Sequence, residues 1–232
     1  MTVERALAVM AHPDDVDFGA AGTIAQWTDS GIEVTYCIIT DGDAGGFDPS
    51  IPRSEIGTIR RAEQTAAAKQ VGVDDVRFLG YPDGRLEVSF DLRRDIARVI
   101  REVRPRRVVC QSPVRNMNRI PTSHPDHLAA GEATMCAVYP DARNPFAFPD
   151  LAELEAWSVA ETWVQGMERS NRYVDVTETW DRKMAALHSH VSQHPEPDRL
   201  DPMMRGWNGN NAIAGGLPAG KLAEAFWVMT TA

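Results

Sequence analysis

Arg5-Ala6-Leu7-Ala8-Val9-Met10, followed at once by Ala11-His12-Pro13-Asp14-Asp15, decides the reading of this chain. The first six residues are apolar enough to be a buried parallel strand. The strand then stops in an imidazole, a proline that stiffens the turn, and two adjacent carboxylates. In open α/β sheets, ligands and catalytic groups gather outside the carboxyl ends of the strands. His12 and Asp15 stand three residues apart, so one turn can aim both at a single cation, which leaves Asp14 free to handle a proton. Downstream, His124-Pro125-Asp126-His127 repeats the spacing with two imidazoles. The two clusters together hold enough ligands for a zinc site with three protein ligands and one open position.

Working outward, strand-like and helix-like segments alternate through the first half. A helix is expected over 20–27, stopping near Gly31, and a β-branched strand over 34–40. The glycine-rich loop Asp41-Gly42-Asp43-Ala44-Gly45-Gly46 follows. The spacing then predicts a helix over 54–70 with Ser54 as its N-cap, a strand over 76–79 and a turn at Gly80-Tyr81-Pro82-Asp83-Gly84. Ser89 caps a helix over 91–103, and a fourth strand covers 107–110. The second half is less regular: a loop over 140–149, a strand over 159–164, a helix over 179–189 and a last strand over 224–230. The run from Gly206 to Gly220, rich in glycine and asparagine, reads as a mobile or substrate-facing loop. Both it and the Asp41-to-Gly46 loop are expected to border the pocket. Alternation of this kind implies right-handed crossovers and a parallel sheet. The expected fold is α/β: a Rossmann-like, mostly parallel sheet flanked by helices, with less regular C-terminal elements, as a single domain over residues 1–232.

The charge balance excludes several classes of function. The 232 residues carry a net charge of -9, which opposes a nucleic-acid surface because phosphate binding needs concentrated Lys and Arg. The basic run Arg101-Glu102-Val103-Arg104-Pro105-Arg106-Arg107 reads as a solvated helix end leading into a strand. No run approaches the ~18 to 20 apolar residues that cross a bilayer. The start, Met1-Thr2-Val3-Glu4-Arg5, lacks the apolar core of a signal peptide. Cys37, Cys110 and Cys136 form no paired motif, which favours a reducing compartment. A cytoplasmic protein acting on a small molecule is expected, with a homo-oligomer left open.

Each His/Asp cluster alone also suits a polar loop that caps the next helix. Their coincidence at two strand ends of one sheet favours a metal site. Two imidazoles and one carboxylate leave zinc a net positive charge and a vacancy for water, whose pKa falls towards ~7. An unbound carboxylate, Asp14, can then take the proton. The remaining histidine can stabilise a tetrahedral oxyanion or protonate a leaving amine, and Asp126 can hold that ring's other nitrogen. Spacing leaves open which of His124 and His127 meets the metal.

These motifs resemble the zinc-dependent de-N-acetylases related to N-acetylglucosaminyl-phosphatidylinositol deacetylase, which include the deacetylases of mycothiol and bacillithiol synthesis. The resemblance extends to Thr40-Asp41-Gly42, to Arg60 with Glu63, and to Gly80-Tyr81-Pro82-Asp83-Gly84. His190-Val191-Ser192-Gln193 and Glu224-Ala225-Phe226 match weaker late motifs. Val16-Asp17 stands where the motif often continues with Glu, and Ala21-Gly22 where a Gly-Gly pair is common; neither change removes a metal or base residue. The resemblance implies one Zn2+ per chain, or another divalent transition metal, on His12, Asp15 and His127. It implies Asp14 as general base, His124 as oxyanion or general-acid group, and Arg60 and Asp83 lining the sugar site. The implied reaction removes the N-acetyl group from an N-acetylglucosamine-type glycoconjugate. A thiol S-conjugate amidase or an antibiotic-sugar deacylase would use the same metal site, and a non-catalytic sugar- or metal-binding protein is the rival of another class. A nucleotide-binding dehydrogenase fits poorly, because Gly19, Gly22 and the Asp41 loop do not spell the dinucleotide fingerprint.

Overall fold

A computed structural model describes residues 3–232. Met1 and Thr2, the first residues of the start read above, lie outside it. Strands β1 (Arg5–Met10), β2 (Glu33–Thr40), β3 (Asp75–Tyr81), β4 (Arg107–Gln111), β5 (Glu161–Gln165), β6 (Arg172–Asp175) and β7 (Ala223–Thr230) form one sheet in the order β3-β2-β1-β4-β5-β7-β6. The first five run parallel; β7 joins β5 antiparallel, and β6 joins β7 antiparallel. Strand β1 is fully buried from Ala6 to Met10, as a central parallel strand covered on both faces must be.

Its side chains alternate between two cores. Leu7 and Val9 pack with Leu92, Ile96 and Ile100 of α4 (Phe90–Val103) and Ala130 and Ala133 of α5 (Pro125–Cys136). Ala6, Ala8 and Met10 face Ile24 of α2 (Ala21–Asp29), Ala67 of α3 (Arg53–Gln70) and Ala186 of α6 (Trp180–His188). The chain winds outward from β1 in one direction and from β4 in the other. Their carboxyl ends therefore form the switch point where open sheets place ligands.

Several local readings are corrected. The helix expected over 20–27 forms as α2, but a short α1 (Asp15–Gly19) that the sequence did not announce precedes it, with Ala20 between them in a non-helical conformation. The stop at Gly31 holds, because that residue adopts φ 83. Ser54 does not cap α3, which begins at Arg53 after Pro52 with no side-chain cap; Ser89 does cap α4, accepting from Leu92 N at 3.1 Å. The loop expected over 140–149 is entered through a kink at Ala137–Asp141, where Tyr139 leaves the helical conformation (φ -145, ψ 118) just before Pro140. Arg101 is not solvated: it is 3% exposed, and its guanidinium donates to the carbonyls of Asp141, Ala142, Asn144 and Leu151. It gathers the carbonyls of a segment that has no ladder of its own.

The largest correction concerns 206–220. Residues Pro197–Ala214 form helix α7, and only 215–220 is a turn. Proline suits the first helical position, and Leu200, Met204, Asn208 and Ala212 recur every four residues as the buried stripe. Gly206 and Gly209 face open space, where a missing side chain costs propensity but no packing.

Glu224 of β7 docks α2 onto the sheet. Its two carboxylate oxygens accept from Gly22 N and Thr23 N at 2.9 and 2.8 Å. Lys183 of α6 reaches the same carboxylate at 2.6 Å, with both side chains almost wholly buried. Lys183→Met is expected to cost about 3–5 kcal/mol in urea denaturation, because the Glu224 charge would stay buried without its cation. A loss near that of an exposed pair, below about 1 kcal/mol, would remove this pair from the docking account.

Candidate active site

The residues after β1 are held in a strained turn. Asp14 adopts φ 94, a left-handed conformation that costs a non-glycine residue about 1–3 kcal/mol and needs support. Helix α3 supplies it from two residues one turn apart. Arg60 donates to Pro13 O at 2.6 Å and to Asp14 Oδ2 at 3.1 Å, while Gln64 Oε1 accepts from Asp14 N at 2.7 Å. Gln64 is fixed in turn by Asp17 Oδ2 at 2.9 Å, and Asp17 by His190 at 2.8 Å, all three fully buried. The second cluster rides on α5, whose Gly131 packs against the end of β4. A Cβ there would stand 2.5 Å from Gln111 O, so only glycine lets the helix come this close.

The two clusters meet at His12. Its Nδ1 lies 3.2 Å from Asp15 Oδ2 and 3.2 Å from His127 Nε2, and His127 Nε2 lies 3.0 Å from Asp15 Oδ1. Ligands at ~2.0–2.1 Å around a tetrahedral zinc stand about 3.3 Å apart, so this triangle fits one cation. On the other side of the ring, His12 Nε2 faces Asp83 Oδ1 at 3.0 Å and Asp126 Oδ2 at 3.2 Å. That carboxylate pair keeps the ring proton on Nε2 and frees Nδ1 as a ligand. His127 is set the same way, with Nδ1 3.4 Å from Thr122 O and Nε2 turned to the triangle. The wider neighbourhood also groups His124 with His12 and His127, and Asp83 and Asp126 with His12. A His/Asp cluster able to hold a divalent cation is thus present.

His124 faces the same centre with a different tautomer. Its Nδ1 accepts from Asp126 N at 3.2 Å, capping α5, so the proton of the neutral ring sits on Nε2. Burial, with the neighbouring His12 and His127 rings, lowers its pKa. It is therefore a neutral N–H donor beside the triangle.

Charge explains the remaining shifts. Burial alone would lower the His12 pKa, but hydrogen bonds to Asp126, Asp15 and Asp83 push it up to about 12. The acidic cluster demands a positive charge, and without a cation a proton on His12 provides it. Burial would raise Asp15, yet His127 and His12 hold it well below the usual carboxylate range. Burial pushes Asp14 up to about 6 against the pull of Arg60. Two adjacent aspartates thus diverge, one tied to the imidazoles and one poised near neutrality.

Two expected placements change. Asp126 does not hold His124 through its carboxylate. Its oxygens engage His12 Nε2 and accept from Gly84 N and Leu86 N, because the first turn of α5 points that side chain back under His12. Arg60 and Asp83 are 4% and 8% exposed and lie behind Asp14 and His12, off the cleft wall. The Asp41-to-Gly46 loop is behind them as well, with Gly42 O accepting from Arg60 and Ala44 N donating to Asp83. The cleft itself, about 610 Å³, opens from Asp14, Asp15 and His127 towards α7, which contributes Trp207, Asn208 and Asn211. The second expected border thus lines the cleft, as a helix. The Gln64-Asp17-His190 support was not read from sequence; the four-residue spacing of Arg60 and Gln64 on one helix face was its available signal.

Residues 7–138 match the family model PIG-L, GlcNAc-PI de-N-acetylase. The chain is 33% identical over 195 residues to the diacetylchitobiose deacetylase of Thermococcus kodakarensis, covering 84% of this chain and 72% of that protein. The N,N'-diacetylchitobiose deacetylase of Pyrococcus horikoshii superposes with a TM-score of 0.89 at 29% identity, over 97% of this chain and 84% of that one. The 4-carboxy-2-hydroxymuconate hydratase GalB of Pseudomonas putida has a TM-score of 0.78 at 20% identity, over 98% of this chain and 96% of that one, a likeness of fold alone. Fold, metal-capable cluster and relatives define a hydrolase of the deacetylase type. The chain belongs to the PIG-L family of de-N-acetylases.

Asp126→Asn is expected to weaken divalent-cation binding by roughly 10- to 100-fold, the usual effect of losing a group that orients a ligating histidine. Calorimetric titration with Zn2+ reads this directly. Unchanged affinity would show that Asp126 does not set the His12 ring.

Proposed function

We propose that this protein is a zinc-dependent hydrolase that removes the N-acetyl group from an N-acetylglucosamine-type glycoconjugate. The observation that carries the reading is the triangle of His12 Nδ1, Asp15 and His127 Nε2, with the Asp14 carboxyl, raised to about 6, beside it. Zinc suits two imidazoles and one carboxylate, and when bound it supplies a Lewis acid and an acidified water. Asp14, fixed by Arg60 and Gln64, accepts the proton of the attacking water. His124, with its proton on Nε2, donates a hydrogen bond to the oxyanion as the acyl carbon becomes tetrahedral, and the proton taken up by Asp14 passes to the leaving amine as the C–N bond breaks. Asp83 and Asp126 keep His12 in the tautomer that presents Nδ1. Arg60 serves this chemistry by holding Asp14, in place of a contact to the sugar. The deacetylation of diacetylchitobiose by the relatives named above supports the substrate class. The three free cysteines fit a reducing cytoplasm, and no helix of the described residues is long and apolar enough to cross a membrane.

The adjacent aspartates give the test. Asp14→Asn is expected to cut turnover by about 10²- to 10⁴-fold, the range of general-base contributions, with zinc content unchanged. Asp15→Asn is expected to lose the metal, since an amide oxygen lacks the charge that holds the cation. Zinc content and amine release from N-acetylglucosamine conjugates are measured for both variants. Equal metal loss in the two, or full activity in Asp14→Asn, would overturn the assignment.

A further inference from the structure

Helix α7 carries a polar residue where its packing calls for an apolar one. The stripe Leu200, Met204, Asn208 and Ala212 recurs every four residues, and Leu200 and Met204 pack with Trp180 and Leu187. Asn208 continues that stripe at 1% exposure, but the space it meets is the cleft. Its Nδ2 donates to Met204 O at 3.0 Å. That bond fixes which way the amide points, since only the nitrogen end can donate. Oδ1 is the end left over. It accepts from no group among the described residues and is not sealed in the core, so it opens on the cleft.

The sheet supplies the opposite polarity. Gln111 ends β4, lines the cleft together with Asp15 and His127, and is 4% exposed. Its Oε1 accepts at 2.9 Å from the backbone N–H of Ala11, the residue just before His12. Nε2 is left over here; it has no partner among the described residues and is not sealed in either. Two buried amides are thus each pinned by a backbone group, one leaving an acceptor on the α7 wall and the other a donor at the strand ends. Buried polar groups are paired as a rule, and this pair is held open for whatever fills the cleft. A hydroxyl donates and accepts at a single oxygen, so it can satisfy both. A carboxylate or phosphate would suit Gln111 but set its charge against the Asn208 oxygen, and an ammonium would do the reverse.

We propose that Asn208 and Gln111 determine specificity by holding hydroxyl groups of the N-acetylated ring. Gln111 Nε2 donates to a hydroxyl oxygen, and Asn208 Oδ1 accepts from that hydroxyl or its neighbour. The inference rests on the deacetylase reading for the ring itself. A site that hydrogen-bonds a hydroxyl rejects the analogue lacking it, because its own buried groups are then left unpaired. Neither amide carries a proton in the reaction, so the effect falls on KM more than on kcat.

The test uses the methyl glycoside of N-acetylglucosamine and its 3-deoxy, 4-deoxy and 6-deoxy analogues. Zinc-loaded wild type, Asn208→Leu, Gln111→Glu and Gln111→Met are compared by amine release, calorimetric binding and Tm. In wild type, removing a hydroxyl that is read is expected to cost roughly 10- to 100-fold in kcat/KM, the effect of leaving a buried partner unpaired, mainly through KM. Asn208→Leu extends the apolar stripe, so its Tm is expected to be no lower than that of wild type while its kcat/KM for the parent glycoside falls by the same factor. The analogue lacking the hydroxyl that Asn208 reads is expected to lose nothing further in that variant. Gln111→Glu keeps an oxygen for Ala11 N and removes the donor, and Gln111→Met controls for its new charge; both are expected to lose the discrimination at the hydroxyl that Gln111 reads. Wild-type kcat/KM in Asn208→Leu, a lowered Tm with the discrimination intact, or the same analogue ratios in wild type and all variants would overturn the proposal. If no glycoside loses its acetyl group but binding still follows this pattern, the hydroxyl reading stands and the deacetylase reading falls.

Discussion

Three carboxylates, those of Asp15, Asp83 and Asp126, press on the single imidazole of His12, and this knot of opposite charges is the constraint on which the arrangement of the site depends. Negative groups held this close in a buried site repel one another unless a positive charge stands among them. Both nitrogens of His12 are committed, Nε2 to Asp83 and Asp126 and Nδ1 to the triangle with Asp15 and His127. Asp126 in turn ties the turn after β3 to α5 through Gly84 N and Leu86 N. The charge cluster therefore joins the ends of three strands, not merely the two that carry the imidazoles.

Support for the cluster comes from outside it. The left-handed Asp14 is a stored cost, balanced by Arg60 and Gln64 at the pocket's back. Behind them Asp17 and His190 form a second, fully buried hydrogen-bonded pair, and Lys183 with Glu224 a third. Buried pairs contribute little net stability, so their number around one helix junction is better explained by position than by energy. They fix α1 and α2 against the sheet, so that the carboxylate at Asp14 keeps one orientation while its neighbour Asp15 is drawn the other way. The same fold in a hydratase shows why the argument for deacetylation has to rest on these side chains.

How much of this was legible in the chain depended on the range of the interaction involved. Local signals were strong where one residue type does one job. The buried run of β1, the strand-end position of His12-Pro13-Asp14-Asp15, the Ser89 cap and the Gly31 stop are each written within a few residues. Composition misled where burial overrode it. The glycines and asparagines of 206–214 lie in a helix because Leu200, Met204, Asn208 and Ala212 share a buried stripe. Arg101, in a run of exposed-looking charge, is sequestered by carbonyls some forty to fifty residues away. Strand β6, only four residues long, exists because β7 offers it an edge.

The sequence by itself determined the α/β class, the parallel sheet and the set of ionisable groups at its carboxyl edge, because strand and turn chemistry act over a few residues. It also placed two adjacent aspartates, Asp14 and Asp15, at the end of the first strand. Only the tertiary structure decided that the Asp126 carboxylate meets His12 and not His124, and that Arg60 and Asp83 stand behind Asp14 and His12. Those pairings join residues roughly fifty to over one hundred positions apart. Their geometry is fixed by how helices dock on a twisted sheet, and no local spacing encodes it.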